Sequence, residues 1–131
     1  MNGIATVGAS LLVLLVAAGC TLTAVGGGEE IYIFAGERDG GMYFEPEVIT
    51  VSAGDQVTFV IKNEGAVDHE FESGEKGEAG VEEIIIPPGR TRRVAWTAPS
   101  EPATYTLYCD LPGHRAAGMA LTLRVLPVAE P

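Results

Sequence analysis

From residue 29 onward, apolar and polar positions alternate in short runs. Val57, Phe59 and Ile61 alternate with Thr58, Val60 and Lys62, and Tyr105, Leu107 and Cys109 alternate with Thr104, Thr106 and Tyr108. A period of two places one set of side chains on a single face of an extended strand. The same reading predicts strands over 31–35, 42–44, 48–51, 57–62, 81–86, 91–96, 104–109 and 120–126. Turn-forming residues separate them: Ala53-Gly54-Asp55, Asn63-Glu64-Gly65, Pro87-Pro88-Gly89, Pro99-Ser100-Glu101-Pro102 and Leu111-Pro112-Gly113. No segment after residue 28 carries the period of an amphipathic helix. Short strands at regular spacing predict an all-β, antiparallel sandwich with Greek-key connections. Ser73–Gly80 is expected to be a mobile loop.

The first 28 residues break this pattern. They contain no Asp, Glu, Lys or Arg, and Leu11–Val16 is an unbroken apolar run. Small residues directly after such a run suit a secretory signal peptide. Ala17-Ala18-Gly19-Cys20 also resembles a bacterial lipobox, in which the cysteine is lipidated and becomes the new N-terminus. Against that pattern, the start has no Lys or Arg, and Ala17 stands where a larger aliphatic residue is usual. An uncleaved anchor is the alternative, since roughly 20 apolar residues cross a bilayer. Residues 1–19 therefore read as signal peptide or membrane anchor, 20–30 as a flexible tether and 31–127 as a single folded domain. Each version places the domain outside the cytoplasm, in the periplasm or on the outer face of the membrane.

The charge balance narrows the partners. Eighteen acidic residues against eight basic ones give a net charge of −10, which argues against nucleic acid, because phosphate binding needs a basic surface. Between Glu64 and Glu83 lie eight acidic residues, with Lys76 as the only base. Such a run is either a solvated loop or a surface that steers a basic partner. Arg90, Arg92 and Arg93 form a small basic group, expected to balance charge along a strand.

The chemistry is concentrated in very few residues. The chain has two histidines, His69 and His114, and one cysteine besides Cys20, namely Cys109. Cys109, His114 and Met119 form a Cys-x4-His-x4-Met pattern that leaves one predicted strand and enters the last. Taken singly, each has an ordinary explanation: a lone cysteine at a strand end is usually a buried apolar residue. Together they converge on one ordered pattern. Two imidazoles, one thiolate and a weak axial thioether are the ligand set of a blue-copper site. The sulfur ligands stabilise Cu(I), and the imidazoles also suit Cu(II).

Phe44-Glu45-Pro46, Ile49, Val51, Gly54-Asp55, Val57, Phe59, Asn63 and His69 also form a pattern with Pro88-Gly89, Tyr105, Tyr108-Cys109, Pro112-Gly113-His114 and Met119. That pattern, over residues 31–126, resembles the cupredoxin (type 1 blue-copper) family of plastocyanin- and azurin-like proteins. The ligand-loop spacing is most similar to rusticyanin and auracyanin. The resemblance implies a Greek-key sandwich, one copper ion held by His69, Cys109, His114 and Met119, and transfer of single electrons. A binuclear copper centre would need a second loop cysteine, and a trinuclear centre needs more than two histidines. Many cupredoxins carry Asn or Ser directly after the first histidine, with a side chain that ties the two ligand segments together. Here Glu70 stands there, so the expected link to Cys109 is the backbone amide of residue 70. Second-shell bonds of this kind tune the metal.

Pro112, Gly113 and Ala117, with Ala116 and Gly118, surround His114 with small or apolar residues. The imidazole edge is therefore expected to be the electron port. The function these residues support is a membrane-tethered electron carrier serving a redox protein, such as a cytochrome c or a membrane oxidoreductase complex. The alternative is an extracytoplasmic protein for copper storage, delivery or resistance; Met-rich tracts would favour it, yet Met42 is the only other methionine after Met1. Zinc also takes Cys and His, but a thioether is a poor fourth ligand for it. No nucleophile–base pair, phosphate loop or paired-carboxylate site marks an independent enzyme, although a role as an accessory component of an oxidoreductase complex is compatible with the sequence.

Overall fold

A computed structural model describes residues 28–74 and 78–130. The leader expected over residues 1–19, Cys20 and most of the expected tether lie outside the described residues. Nine strands follow in order: β1 (Glu29–Arg38), β2 (Gly41–Glu45), β3 (Val48–Ser52), β4 (Gln56–Asn63), β5 (His69–Phe71), β6 (Ile84–Ile86), β7 (Thr91–Thr97), β8 (Ala103–Tyr108) and β9 (Ala120–Leu126). One layer has the order β2-β1-β4-β7, and the other has β3-β9-β8. The short β5-β6 pair joins the second layer through Glu72, whose backbone exchanges hydrogen bonds with Tyr108 (3.2 and 3.0 Å). The molecule is therefore the expected all-β sandwich of two sheets.

Alternation builds the core between the layers. Val57, Phe59 and Ile61 of β4 and Ile33 and Ala35 of β1 are buried from one side. Leu121, Leu123 and Val125 of β9 and Leu107 of β8 meet them from the other. Phe71 sits at the centre, edge-on to Phe44 (ring centroids 5.5 Å apart) and to Phe59 (5.6 Å), in the T-shaped arrangement that aromatic quadrupoles favour. This ring holds β5 in the core, two residues from His69. On the outer face Arg93 pairs with Glu30, in keeping with charge balance along a strand.

Four features differ from the sequence reading. β1 pairs with β4, and β3 with β9, in parallel register (Ile33↔Ile61, Ile49↔Leu123). Between each parallel pair the chain crosses to the other layer and returns, which a face pattern does not reveal. β1 begins at Glu29, inside the expected tether, because Glu29 and Glu30 pair with Val57 and Thr58. β1 also runs on to Arg38, because Asp39-Gly40 (φ 51° and 77°) closes a two-residue hairpin with β2, of the kind Asp-Gly favours. His69–Phe71 forms a strand that was not expected, while Val81 is buried but precedes β6.

Two local expectations change with it. The ends of the Ser73–Gly80 segment are anchored, although residues 75–77 lie outside the described residues. Ser73 Oγ exchanges hydrogen bonds with Val81, and Ala79 O accepts one from Trp96 Nε1. Glu70, counted within the acidic run, is 7% exposed and is not part of a solvated face.

Candidate metal centre

Two segments from one end of the sandwich converge on a single point. The first reaches His69 through loop 64–68, which is held by a buried side chain. Asn63 Nδ2 donates to Val67 O (2.7 Å) and Ile86 O (2.8 Å), and its Oδ1 accepts from Gly65 N (2.8 Å). The register His69↔Ile86 then fixes the start of β5. The second segment leaves β8 at Cys109 and re-enters the sheet after Met119. Cys109 N donates to Met119 O (3.2 Å), and Met119 N donates to His114 O (3.2 Å), so the loop is closed at its base and coiled on itself. Gly118 makes the last bend at φ 100°, a conformation suited to glycine. Met42 N donates to Ala117 O (2.9 Å), tying the β1–β2 hairpin to the same loop.

These constraints bring the donor atoms together. His69 Nδ1 lies 3.3 Å from His114 Nδ1, and Cys109 Sγ lies 3.3 Å from the same nitrogen. All three donors are within 4.8 Å of one another. His69, Cys109 and Met119 are fully buried, whereas His114 is only partly buried. Cys109 Sγ accepts the Glu70 amide at 3.3 Å. The link from residue 70 to Cys109 is thus its backbone amide, as expected with Glu70 standing where many cupredoxins carry Asn or Ser.

Burial dominates the local acid–base balance. It pushes the Cys109 thiol up, against the opposing pull of the nearby Glu70 and Leu111 amides. It pulls the His69 imidazole down, against the Glu37 carboxylate, which favours the neutral, metal-binding ring. Burial also raises the Glu70 carboxyl, reinforced by Glu83, Glu72 and Asp110. One buried thiol and two imidazoles within reach of one another fit a cation site, because a bound cation deprotonates a coordinating thiol outright.

Two histidines and a cysteine brought together, with Met119 closing the same loop, are the donor set of a mononuclear type 1 copper protein. The comparisons agree. The chain belongs to the family of cupredoxin-like domains, whose model matches residues 11–121. It is 36% identical to plastocyanin A'/A'' of Nicotiana tabacum, over 68% of this chain and 93% of that protein. It is 27% identical to the copper-resistant cuproprotein CopI of Pseudomonas aeruginosa, over 67% of this chain and 73% of the relative. Auracyanin from the photosynthetic bacterium Roseiflexus castenholzii shares the fold, with a TM-score of 0.62 at 23% identity, covering 78% of this chain and all of that one. The type 1 copper site is formed by His69, Cys109, His114 and Met119.

One contributor escaped the sequence reading. Glu37 Oε1 accepts a hydrogen bond from His69 Nε2 at 2.8 Å. The Asp39-Gly40 hairpin signal was the feature that could have placed β1 beside the site.

Proposed function

We propose that this protein carries single electrons between redox partners outside the cytoplasm, held at a membrane by its N-terminal segment or by lipid on Cys20. Copper bound at the centre supplies one-electron Cu(II)/Cu(I) chemistry. The observation that carries the reading is the asymmetry of the site: three ligands are fully buried and only His114 reaches the surface. The bonds of Asn63 to Gly65, Val67 and Ile86, and those joining Glu70 to Cys109, Cys109 to Met119 and Met119 to His114, hold the donor positions. A fixed donor set keeps rearrangement small when charge changes, and that favours rapid transfer.

The deciding experiment is the visible spectrum of the protein with one equivalent of Cu(II). An intense blue band, bleached by ascorbate and restored by oxidant, is expected. A colourless protein that prefers zinc would overturn the reading.

His114 emerges between Pro112, Gly113, Ala116 and Gly118, all exposed, and beside Ala117. The one charged residue of this stretch, Arg115, turns its guanidinium over the Tyr108 ring at 3.9 Å. The face around His114 is thus small and apolar, as a close docking patch requires. Ala117→Asp should slow electron exchange about tenfold or more, the equivalent of about 1.4 kcal/mol for an unpaired charge at the contact, while leaving the blue band intact. Equal rates would remove His114 as the port.

Glu64, Asp68, Glu78, Glu82 and Glu83 are exposed and give a basic partner, such as a cytochrome c, a surface to approach. The second-order rate constant with such a partner should fall by about tenfold or more between low salt and physiological ionic strength. A flat dependence would leave the run as a solvated surface.

Similarity to CopI supports a second reading, in which the same site confers copper resistance. A strain lacking the gene would then be copper-sensitive with unimpaired electron transport; the first reading expects the reverse.

A further inference from the structure

The β1–β2 hairpin does more than flank the centre. Glu37, near the end of β1, reaches across to loop 64–68 and places its carboxylate at the back of His69. One oxygen accepts from His69 Nε2 (2.8 Å), and the other accepts from the Ala66 amide (2.9 Å). A Cβ at Gly65 would collide with that carboxylate, so the loop is shaped around it. His69 Nδ1 faces Cys109 and His114, which leaves Nε2 as the nitrogen that carries the proton. The site therefore contains a carboxylate–imidazole line aimed at the donor cluster, with the carboxylate partly exposed and the ring fully buried.

We propose that Glu37 is a positioning residue for the metal centre: it fixes the tautomer and orientation of His69 and, through the shared hydrogen bond, makes the imidazole a stronger donor that favours Cu(II). A carboxylate on the far nitrogen raises ligand basicity. Its negative charge also interacts more favourably with the higher-valent metal. Both effects have the same sign, and both hold the reduction potential down.

The proposal rests on copper occupying the centre, which the blue spectrum tests separately. Glu37→Gln keeps the shape and one acceptor but removes the charge. At a fixed poise it should shift the Cu(II)/Cu(I) ratio about tenfold toward Cu(I), a rise in midpoint of about 59 mV for one electron. Asp39→Asn removes a charge from the same hairpin without touching His69, and Asn tolerates the positive φ found there; its ratio should be unchanged. The second readout is the ring proton of His69 in the diamagnetic Cu(I) protein. It should sit on Nε2 and exchange slowly with water, and Glu37→Ala should speed that exchange at least tenfold. If Glu37→Gln lowered the melting temperature and left the ratio unchanged, Glu37 would be an anchor of loop 64–68 alone. An equal shift in Asp39→Asn would assign the effect to general charge and overturn the role of the contact.

Discussion

The Cys109→Ser protein should be colourless with Cu(II), bind the metal at least about a hundredfold more weakly, and show no reversible one-electron couple. The blue band requires thiolate-to-copper charge transfer, and a serine hydroxyl stays protonated where a metal-bound thiol does not. Hard oxygen also gives Cu(I) none of the stabilisation that sulfur provides. The fold should survive, because serine is no larger and its oxygen can accept the Glu70 amide that Sγ accepts now. Far-ultraviolet circular dichroism checks the fold, and the visible spectrum checks the site. A retained blue band would mean that Cys109 is not the sulfur ligand.

The second large effect is expected at Asn63, which touches none of the metal's donor atoms. Its buried side chain makes three hydrogen bonds, to Gly65 N, Val67 O and Ile86 O. Asn63→Leu keeps the branched shape and the number of heavy atoms but leaves those three groups without their partner. At about 1–3 kcal/mol for each buried group left unpaired, partly relieved by water at the loop, the loss should be about 3–5 kcal/mol. For a domain near a hundred residues that lowers Tm by at least about 12 °C. Loop 64–68 would also loosen, so His69 should lose its fixed place and the blue band should broaden. Thermal melts with and without copper separate the two effects: metal should restore part of the lost stability, because it binds only the folded chain. A melting temperature within a degree or two of the parent would show that β5 holds His69 unaided.

The parts of this molecule that were legible in the sequence are those encoded within short windows. Cys109, His114 and Met119 lie on one loop, so their spacing announces the site before any fold is known. The buried faces of β4 and β9 follow from strict alternation. His69 could be named only because one other histidine exists, since the strand it opens is three residues long and flanked by acids. Its place in the core comes from Phe71 and from pairing with Ile84–Ile86, which are properties of the assembled sheets. Parallel pairing of β1 with β4 was equally hidden, because a strand pattern records which face is buried and not which neighbour runs alongside. Glu37 lay furthest out of reach. It contacts a residue 32 positions away, and as a charged residue on a strand it looked like any solvent-facing glutamate. Glu70 shows the converse case: its place beside His69 is legible in the sequence, but its burial belongs to the packed structure.

The two chain ends of the domain share one pole. Glu29 opens β1 beside Val57, and Leu126 ends β9 beside Ser52, with Ala53 N donating to Leu126 O at 2.8 Å. Glu37 and Met119, at the other ends of the same two strands, belong to the metal pole. At about 3.3 Å per residue the poles are about 25 Å apart. A bead or a fused reporter attached immediately before Glu29 or immediately after Leu126 would therefore present the His114 face outward. Oriented immobilisation needs no engineered cysteine, and the sole described thiol, Cys109, stays buried and out of reach of the attachment chemistry.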